Sequence, residues 1–278
     1  MNLTSIHHLH EIGSKKTQED YLWPAPGSAT LQDRIFIVCD GVGGSQNGEV
    51  ASKIIADYIG NALKTAPPGF ELNKEIIVHL LQQAKENLIT YAYDNSLNHD
   101  MATTLSLLVL QEDKAFIAWC GDSRVYHIRN GKICYQTEDH SLVHTLIKNG
   151  EITEEEAQNH PHKNIILHAI KADESEIEIT VHTITDVKNG DYFLLCTDGL
   201  LEQISTAELE SAFTDLDSNG AGLDFWFRSK CFEKTRDNYS MYLLITGKEK
   251  KTSSTNIILF MLLFLLLSIG VVLYFIQK

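Results

Sequence analysis

Short apolar runs punctuate the chain: RIFIVC (34–39), TTLSLLVL (103–110), KAFIAWC (114–120), YFLLC (192–196) and YSMYLLIT (239–246). Runs of this length, rich in β-branched and aromatic residues and bounded by glycine or charge, predict buried strands. RVYHIRNG (124–131) adds another, and Asn130-Gly131 is a hairpin signal. His7, His8 and His10 fall in a predicted first strand. Between the first two runs the period changes. Val50, Ile54, Ile55, Tyr58, Ile59, Ala62 and Leu63 share one helical stripe over Gly48 to Leu63. After the loop KTAPPGFEL, Asn73 caps a second helix whose apolar face carries Ile77, Leu80, Leu81, Ala84, Leu88 and Tyr91. Thr153 with Glu156 and Ser205 with Glu208 read as capping boxes of two further helices. Strands come in clusters and helices in pairs, without βαβ alternation, which predicts an α+β fold with antiparallel sheets.

The end of the chain follows another rule. From Ile257 to Ile276 the residues IILFMLLFLLLSIGVVLYFI carry no charge. At ~1.5 Å per residue such a helix spans about 30 Å, the thickness of a bilayer core. Lys248, Lys250 and Lys251 precede it, and only Gln277 and Lys278 follow. The expectation is residues 1–247 as a folded domain in the cytoplasm, 248–256 as a polar, basic tether and 257–276 as a single-pass transmembrane anchor. The N-terminus, MNLTSIHHLHEIG, lacks the apolar stretch of a signal peptide.

Composition narrows the function. The 278 residues are 44% hydrophobic and 22% charged, as in a folded chain, and the formal net charge is -14. That excess of acid repels phosphate backbones and argues against nucleic acid as a partner. Cys39, Cys120, Cys134, Cys196 and Cys231 form no CxxC pair and read as small buried hydrophobes of a reducing compartment.

The acids are placed in a pattern. RIFIVC runs into Asp40-Gly41, KAFIAWC into Gly121-Asp122, and YFLLC into Thr197-Asp198-Gly199. Asp237-Asn238 directly precedes the last strand, and Glu19-Asp20 lies ahead of RIFIVC. One Asp-Gly after a strand is ordinarily a turn. Several with matching lead-ins suggest convergence, and two carboxylates ~4 Å apart repel by about 4 kcal/mol at an effective dielectric near 20. A convergent set must take up protons or hold cations, and oxygen ligands suit Mg²⁺ or Mn²⁺.

These residues carry a resemblance. GSKKTQED (13–20), CDGVGGSQNGEVAS (39–52), MATT (101–104), GDSR (121–124), TEDHS (137–141), TDG (197–199) and RDN (236–238) stand in the order of the motifs of the type 2C, metal-dependent protein serine/threonine phosphatases. The chain resembles that family, in its bacterial form, over nearly all of residues 6 to 246. The resemblance implies two packed antiparallel sheets flanked by helix pairs, an αββα sandwich. It implies that Asp20, Asp40, the Gly41 carbonyl, Asp198 and Asp237 hold two Mn²⁺ or Mg²⁺ ions. Glu19 would support them through water, and Asp122 with Asp198 would hold a third, weaker ion. Asp40, Asp198 and Asp237 are the implied catalytic set, and Lys15 the implied phosphate-binding residue. The implied reaction is attack of a metal-activated hydroxide on phosphoserine or phosphothreonine, without a phospho-enzyme. Phosphorylated proteins, with a Ser/Thr kinase and its targets, are the implied partners. Residues 141 to 175 fall where the family has a flap.

Several positions depart from the pattern. Lys15 replaces the usual arginine and offers a point charge instead of a fork. Gln18 replaces asparagine, Ala102 glycine, and Leu167, His168 and Lys171 the usual Thr, Arg and Gly of the flap. Val42 and Ser45 stand where histidine is often found, which leaves the general acid unassigned. The rival readings are a membrane-anchored pseudophosphatase that binds phosphoproteins and a phosphatase of small phosphorylated metabolites. The twelve scattered histidines suggest no transition-metal site, and His140 reads as structural.

Overall fold

A computed structural model describes residues 2–42, 47–67, 69–97, 100–215 and 220–247. Met1–Gly247 is one compact unit. The tether and the apolar run 257–276 lie outside the described residues, among which no helix is long and apolar enough to cross a membrane.

Two antiparallel five-stranded sheets make the frame. The first contains, in order, β1 (Asn2–Glu11), β12 (Tyr239–Gly247), β11 (Tyr192–Cys196), β7 (Arg124–Arg129) and β8 (Lys132–Gln136). The second contains β10 (Thr180–Ile184), β6 (Lys114–Cys120), β5 (Leu105–Gln111), β3 (Ile35–Cys39) and β2 (Tyr21–Trp23). A small ladder joins β4 (Ala102–Thr103) to β9 (Ile170–Lys171). Helices α1 (Gly48–Lys64) and α2 (Lys74–Asp94) pack outside the second sheet. Helices α6 (Thr206–Asp215) and α7 (Ala221–Cys231) pack outside the first. Short helices α3 (Leu142–Lys148) and α4 (Glu154–Gln158) occupy the expected flap, and α5 (Asp198–Leu201) follows β11 directly.

Each central strand is covered on both sides, which explains why the apolar runs are continuous and not alternating. Along β3, Phe36 and Val38 face the inter-sheet core, while Ile37 and Cys39 face α1 and α2. Along β11, Phe193 and Leu195 enter the same inter-sheet core, and Leu194 and Cys196 meet α6 and α7. Three apolar layers result, and the predicted αββα sandwich is what forms. The caps act as read: Asn73 Oδ1 accepts the Ile76 N–H at 2.9 Å, and both capping boxes close.

Two expectations need correction, and one buried residue was not singled out. Tyr91 is exposed, and Ala92 takes the buried place, because α2 runs on to Asp94 and its buried stripe drifts around the helix. Cys134 is exposed, because β8 is the outermost strand of its sheet. Lys85, which the apolar stripe does not mark, is buried on α2. Its ammonium donates to the Ser175 carbonyl and lies 3.7 Å from Asp173 Oδ1, fastening the end of the flap segment to the helix.

Candidate metal centre and active site

Strand register brings the acids to one end of the sandwich. Tyr21 pairs with Cys39 across β2 and β3, so Asp20 and Asp40 are the next residues beyond that pair. In the other sheet Cys196 pairs with both Arg124 and Met241, which brings Asp198, Asp122 and Asp237 to the same end. The two sheets are stacked, and their acid-bearing ends meet.

The charges confirm the meeting. Burial, then the fields of Asp20, Asp198, Asp122 and Asp237, hold the Asp40 carboxyl well above the usual carboxylate range. Burial followed by Asp198 pushes both Asp20 and Asp122 up to about 8. Asp198, raised by burial and Asp237 and hydrogen-bonded to Asp40, is pushed up to about 6. Without added positive charge, this cluster retains protons at neutral pH.

A hydroxyl and amide scaffold fixes the backbone around these acids. The Asp40 N–H donates to Thr104 Oγ1 (2.9 Å), and its carbonyl accepts from Thr104 N–H (2.8 Å) and Thr103 Oγ1 (2.9 Å). Thr104 Oγ1 also lies 2.7 Å from Ser123 Oγ, which ties the Asp40 turn to the Asp122 turn. Thr197 Oγ1 donates to Asp20 Oδ2 (3.1 Å) and accepts the Ser240 N–H (3.0 Å). Asn238 clamps the entry loop: its Oδ1 accepts from Glu19 N–H (2.8 Å), and its Nδ2 donates to the carbonyls of Ile12 (2.8 Å) and Thr17 (3.0 Å). The Gly41 N–H donates to the Glu19 carbonyl at 3.0 Å. A Cβ on Gly199 would lie 2.0 Å from the Asn238 carbonyl oxygen, so only glycine lets these two acid-bearing turns touch.

Lys15 reaches the rim, with Nζ 2.9 Å from Asp237 Oδ1 and 3.9 Å from Glu19 Oε2. Partial burial opposes its charge, but the Asp237 hydrogen bond, with Glu19 and Asp40 nearby, raises the ammonium pKa. Glu19 is half-buried, and burial is the main cause of its raised pKa. On the flap side, Arg124 forms a two-toothed pair with Asp139 at 2.7 and 2.6 Å. His140 is structural, as expected: its N–H donates to the Gly121 carbonyl (2.9 Å), its Nδ1 accepts the Gly121 N–H (3.2 Å), and its ring stacks on Trp119. A cavity of about 580 Å³ beside it is lined by Trp119, His140, His144, His168 and Glu178, among others. Ser45 lies outside the described residues.

Oxygen donors suit a hard divalent cation, and one observation favours a cation at this set. Asp20 Oδ1 and Asp122 Oδ1 are buried with no hydrogen-bond partner, an expensive arrangement that a cation would relieve. Among the described residues no group of three or more histidine, cysteine, aspartate or glutamate side chains is arranged as it stands to hold a metal ion. The orphaned oxygens carry a desolvation cost that no protein donor meets and that a bound cation would offset.

Thr104, Ser123, Thr197 and Asn238 were not singled out individually as site residues. They sit inside the motifs MATT, GDSR, TDG and RDN, and a hydroxyl or amide beside an acid in each motif is the signal that marks them.

Comparison with known proteins agrees with this geometry. The structure superposes on the crystal structure of the Mycobacterium tuberculosis serine/threonine phosphatase PstP/Ppp with a TM-score of 0.74 at 25% identity, covering 89% of this chain and 100% of that one. The fold is thus that of the bacterial serine/threonine phosphatases. The protein phosphatase 2C family model matches residues 11–222, and the chain belongs to that family. It is 34% identical over 208 residues to the protein phosphatase PhpP of Streptococcus pneumoniae, covering 74% of this chain and 82% of that protein. It is 36% identical over 178 residues to the serine/threonine phosphatase stp of Listeria innocua, covering 63% and 70%. A structure of the PstP catalytic domain with two manganese ions shares the fold at a TM-score of 0.70 and 23% identity, covering 89% of this chain and 100% of that one. The chain is a metal-dependent phosphoprotein phosphatase acting on serine and threonine.

Proposed function

We propose that this phosphatase works from a membrane, tied there by residues 257–276, with its catalytic domain on the cytoplasmic side. Asp20, Asp40, Asp198, Asp237 and the Gly41 carbonyl hold two Mn²⁺ or Mg²⁺ ions, Asp122 with Asp198 holds a third, and Glu19 supports them through water. Bound divalent cations lower the pKa of water and offset charge on phosphoryl oxygens. Lys15 binds a phosphoryl oxygen from the rim while keeping its partner Asp237 in place. Thr104, Thr197 and Asn238 hold the acid-bearing turns rigid, so little reorganisation is needed when substrate arrives. Water attacks phosphorus directly: burial pushes the Cys120 thiol up to about 12 and raises Cys39 and Cys196 as well, which leaves them poor nucleophiles. Phosphorylated proteins near the same membrane, including a Ser/Thr kinase and its targets, are the substrates.

The observation that carries this reading is the pair of orphaned carboxylate oxygens inside a mutually repelling cluster. The test is phosphate release from a phosphothreonine peptide by the full chain in detergent. Release should require Mn²⁺ or Mg²⁺, stop with EDTA and return on readdition. A chain that binds Mn²⁺ by calorimetry yet turns nothing over would be a phosphoprotein-binding module instead. The anchor is tested separately: the full chain should float with lipid vesicles, and residues 1–247 alone should not.

A further inference from the structure

Helix α7 buries Leu223, Phe227 and Cys231 against the first sheet. Its opposite face is a stripe at helical spacing: Phe225, Arg228, Ser229 and, at the helix end, Phe232. Phe225 is 73% exposed and Phe232 64%, and both stand among the most exposed large apolar side chains described. The two rings lie seven positions apart, so they emerge on one side of the helix. Their basic neighbours are largely neutralised: Arg228 pairs with Asp224 (3.1 Å) and Glu11 (3.4 Å), and Lys230 with Glu208 (2.6 Å). The stripe therefore presents two aromatic rings on a face close to neutral, a poor fit to a charged ligand.

Its position says what covers it. A Cβ on Gly220, just ahead of α7, would lie 2.7 Å from His7 Nε2 and 2.8 Å from Ile245 Cδ1, so α7 begins beside the last residues of β12. Arg228 Nη2 donates to the His8 carbonyl at 3.0 Å and its guanidinium reaches Glu11, whose register partner is Tyr239. Helix α7 thus runs back along β12, from the end where the chain leaves Gly247 toward the end where Asp237 sits. Phe225 lies within about 8 Å of the helix start along the axis. The tether 248–256 reaches at most ~30 Å before the apolar run begins.

We infer that the exposed face of α7 rests on the lipid surface, Phe225 and Phe232 entering the headgroup boundary and laying the catalytic domain on its side. This rests on the proposed anchor and adds to it a second, oriented contact. Two aromatic rings bind a bilayer only weakly by themselves, and the formal net charge of -14 offers no attraction to anionic lipid. A short tether changes that, since it supplies an effective concentration on the order of millimolar. The docked domain carries its acid cluster low over the membrane, which selects phosphorylated segments close to the surface.

The experiment uses the full chain with Cys134→Ser, which removes the exposed thiol and leaves the four buried ones. A bimane label is placed at Ser229→Cys, between the two rings, or at Tyr93→Cys on α2, in the opposite outer layer and 78% exposed. The chain is reconstituted in phosphatidylcholine/phosphatidylglycerol vesicles with brominated acyl chains, and p-nitrophenyl phosphate turnover confirms folding. Quenching at 229 should be at least about twice that at 93, and Phe225→Asp/Phe232→Asp should bring it down to the level at 93. Equal quenching at the two positions in a vesicle-bound chain overturns the docking and leaves the anchor standing. A chain that does not associate with vesicles overturns both. A label at 229 that escapes bromine yet is shielded from aqueous iodide overturns the lipid contact in favour of a protein partner.

Discussion

The ammonium of Lys15 sits 2.9 Å from Asp237 Oδ1, so this cation on the rim of the acid cluster is held by one of its acids. A lysine in this place is a single-point donor, and a guanidinium would grip both an acid and a phosphoryl oxygen. Lys15→Arg is expected to lower KM for a phosphothreonine peptide severalfold with little change in kcat. Lys15→Ala should raise KM by roughly tenfold, the size of one charge-assisted hydrogen bond. Steady-state kinetics on one peptide decides it, and an unchanged KM in both variants would remove Lys15 from substrate binding.

The acids themselves should be far less tolerant. Asp40→Asn and Asp198→Asn are each expected to cut turnover by more than the ~10–100-fold seen when only a supporting residue is lost. Added Mn²⁺ should raise the Tm of the parent by several degrees, since a ligand that binds only the folded state stabilises it. EDTA should reverse the shift, and it should shrink in both variants. Near-normal rates with a parent-like Mn²⁺ shift would place the chemistry elsewhere.

Thr104 is the joint between the Asp40 and Asp122 turns, through 2.9 and 2.7 Å contacts of its hydroxyl. Thr104→Val keeps the shape and removes the hydroxyl, leaving the Asp40 N–H without its acceptor. The expected cost is about 1–3 kcal/mol, read from urea unfolding, together with weaker Mn²⁺ binding by calorimetry. Thr104→Ser should restore most of both. A valine variant as stable and as tight for Mn²⁺ as the parent would show that the joint is dispensable.

Away from the site, Asp191 is buried with Arg129 at 2.7 Å and His127 at 2.8 Å. Burial alone would raise its pKa, but the hydrogen bonds from Arg129 and His127 outweigh that and hold it well below the usual range. A carboxyl depressed on folding contributes stability that is complete above its unfolded pKa, near 4, and is lost as pH falls through the folded value. Thermal unfolding from pH 7 down to pH 2 should therefore show a steep acid limb. Asp191→Asn should be less stable at pH 7 and lose less on acidification. Parallel curves for the two proteins would disprove the linkage.

Helix caps, the stripes of α1 and α2, and the strand runs were legible because each depends on residues a few positions apart. Asn73 and the two capping boxes act as read. Continuous apolar runs correctly indicated buried strands, and the structure covers them on both faces. The motif order was sufficient to indicate the family, since seven short patterns in sequence are hard to assemble by chance. Local periodicity misplaced Tyr91 and missed the buried Lys85, because a long helix drifts relative to its neighbours and a flap segment ninety residues away closes over it.

What the chain encodes by itself is which strands end in an acid; where those ends meet is a matter of pairing. The register of Tyr21 with Cys39, and of Cys196 with Arg124 and Met241, gathers Asp20, Asp40, Asp122, Asp198 and Asp237 from positions scattered over the whole domain. No spacing along the chain predicts that meeting, because register is settled by which side chains fill the core between two sheets. The same holds for α7: its sequence shows two phenylalanines seven residues apart, and only packing reveals that both face outward on a helix that starts beside the end of β12.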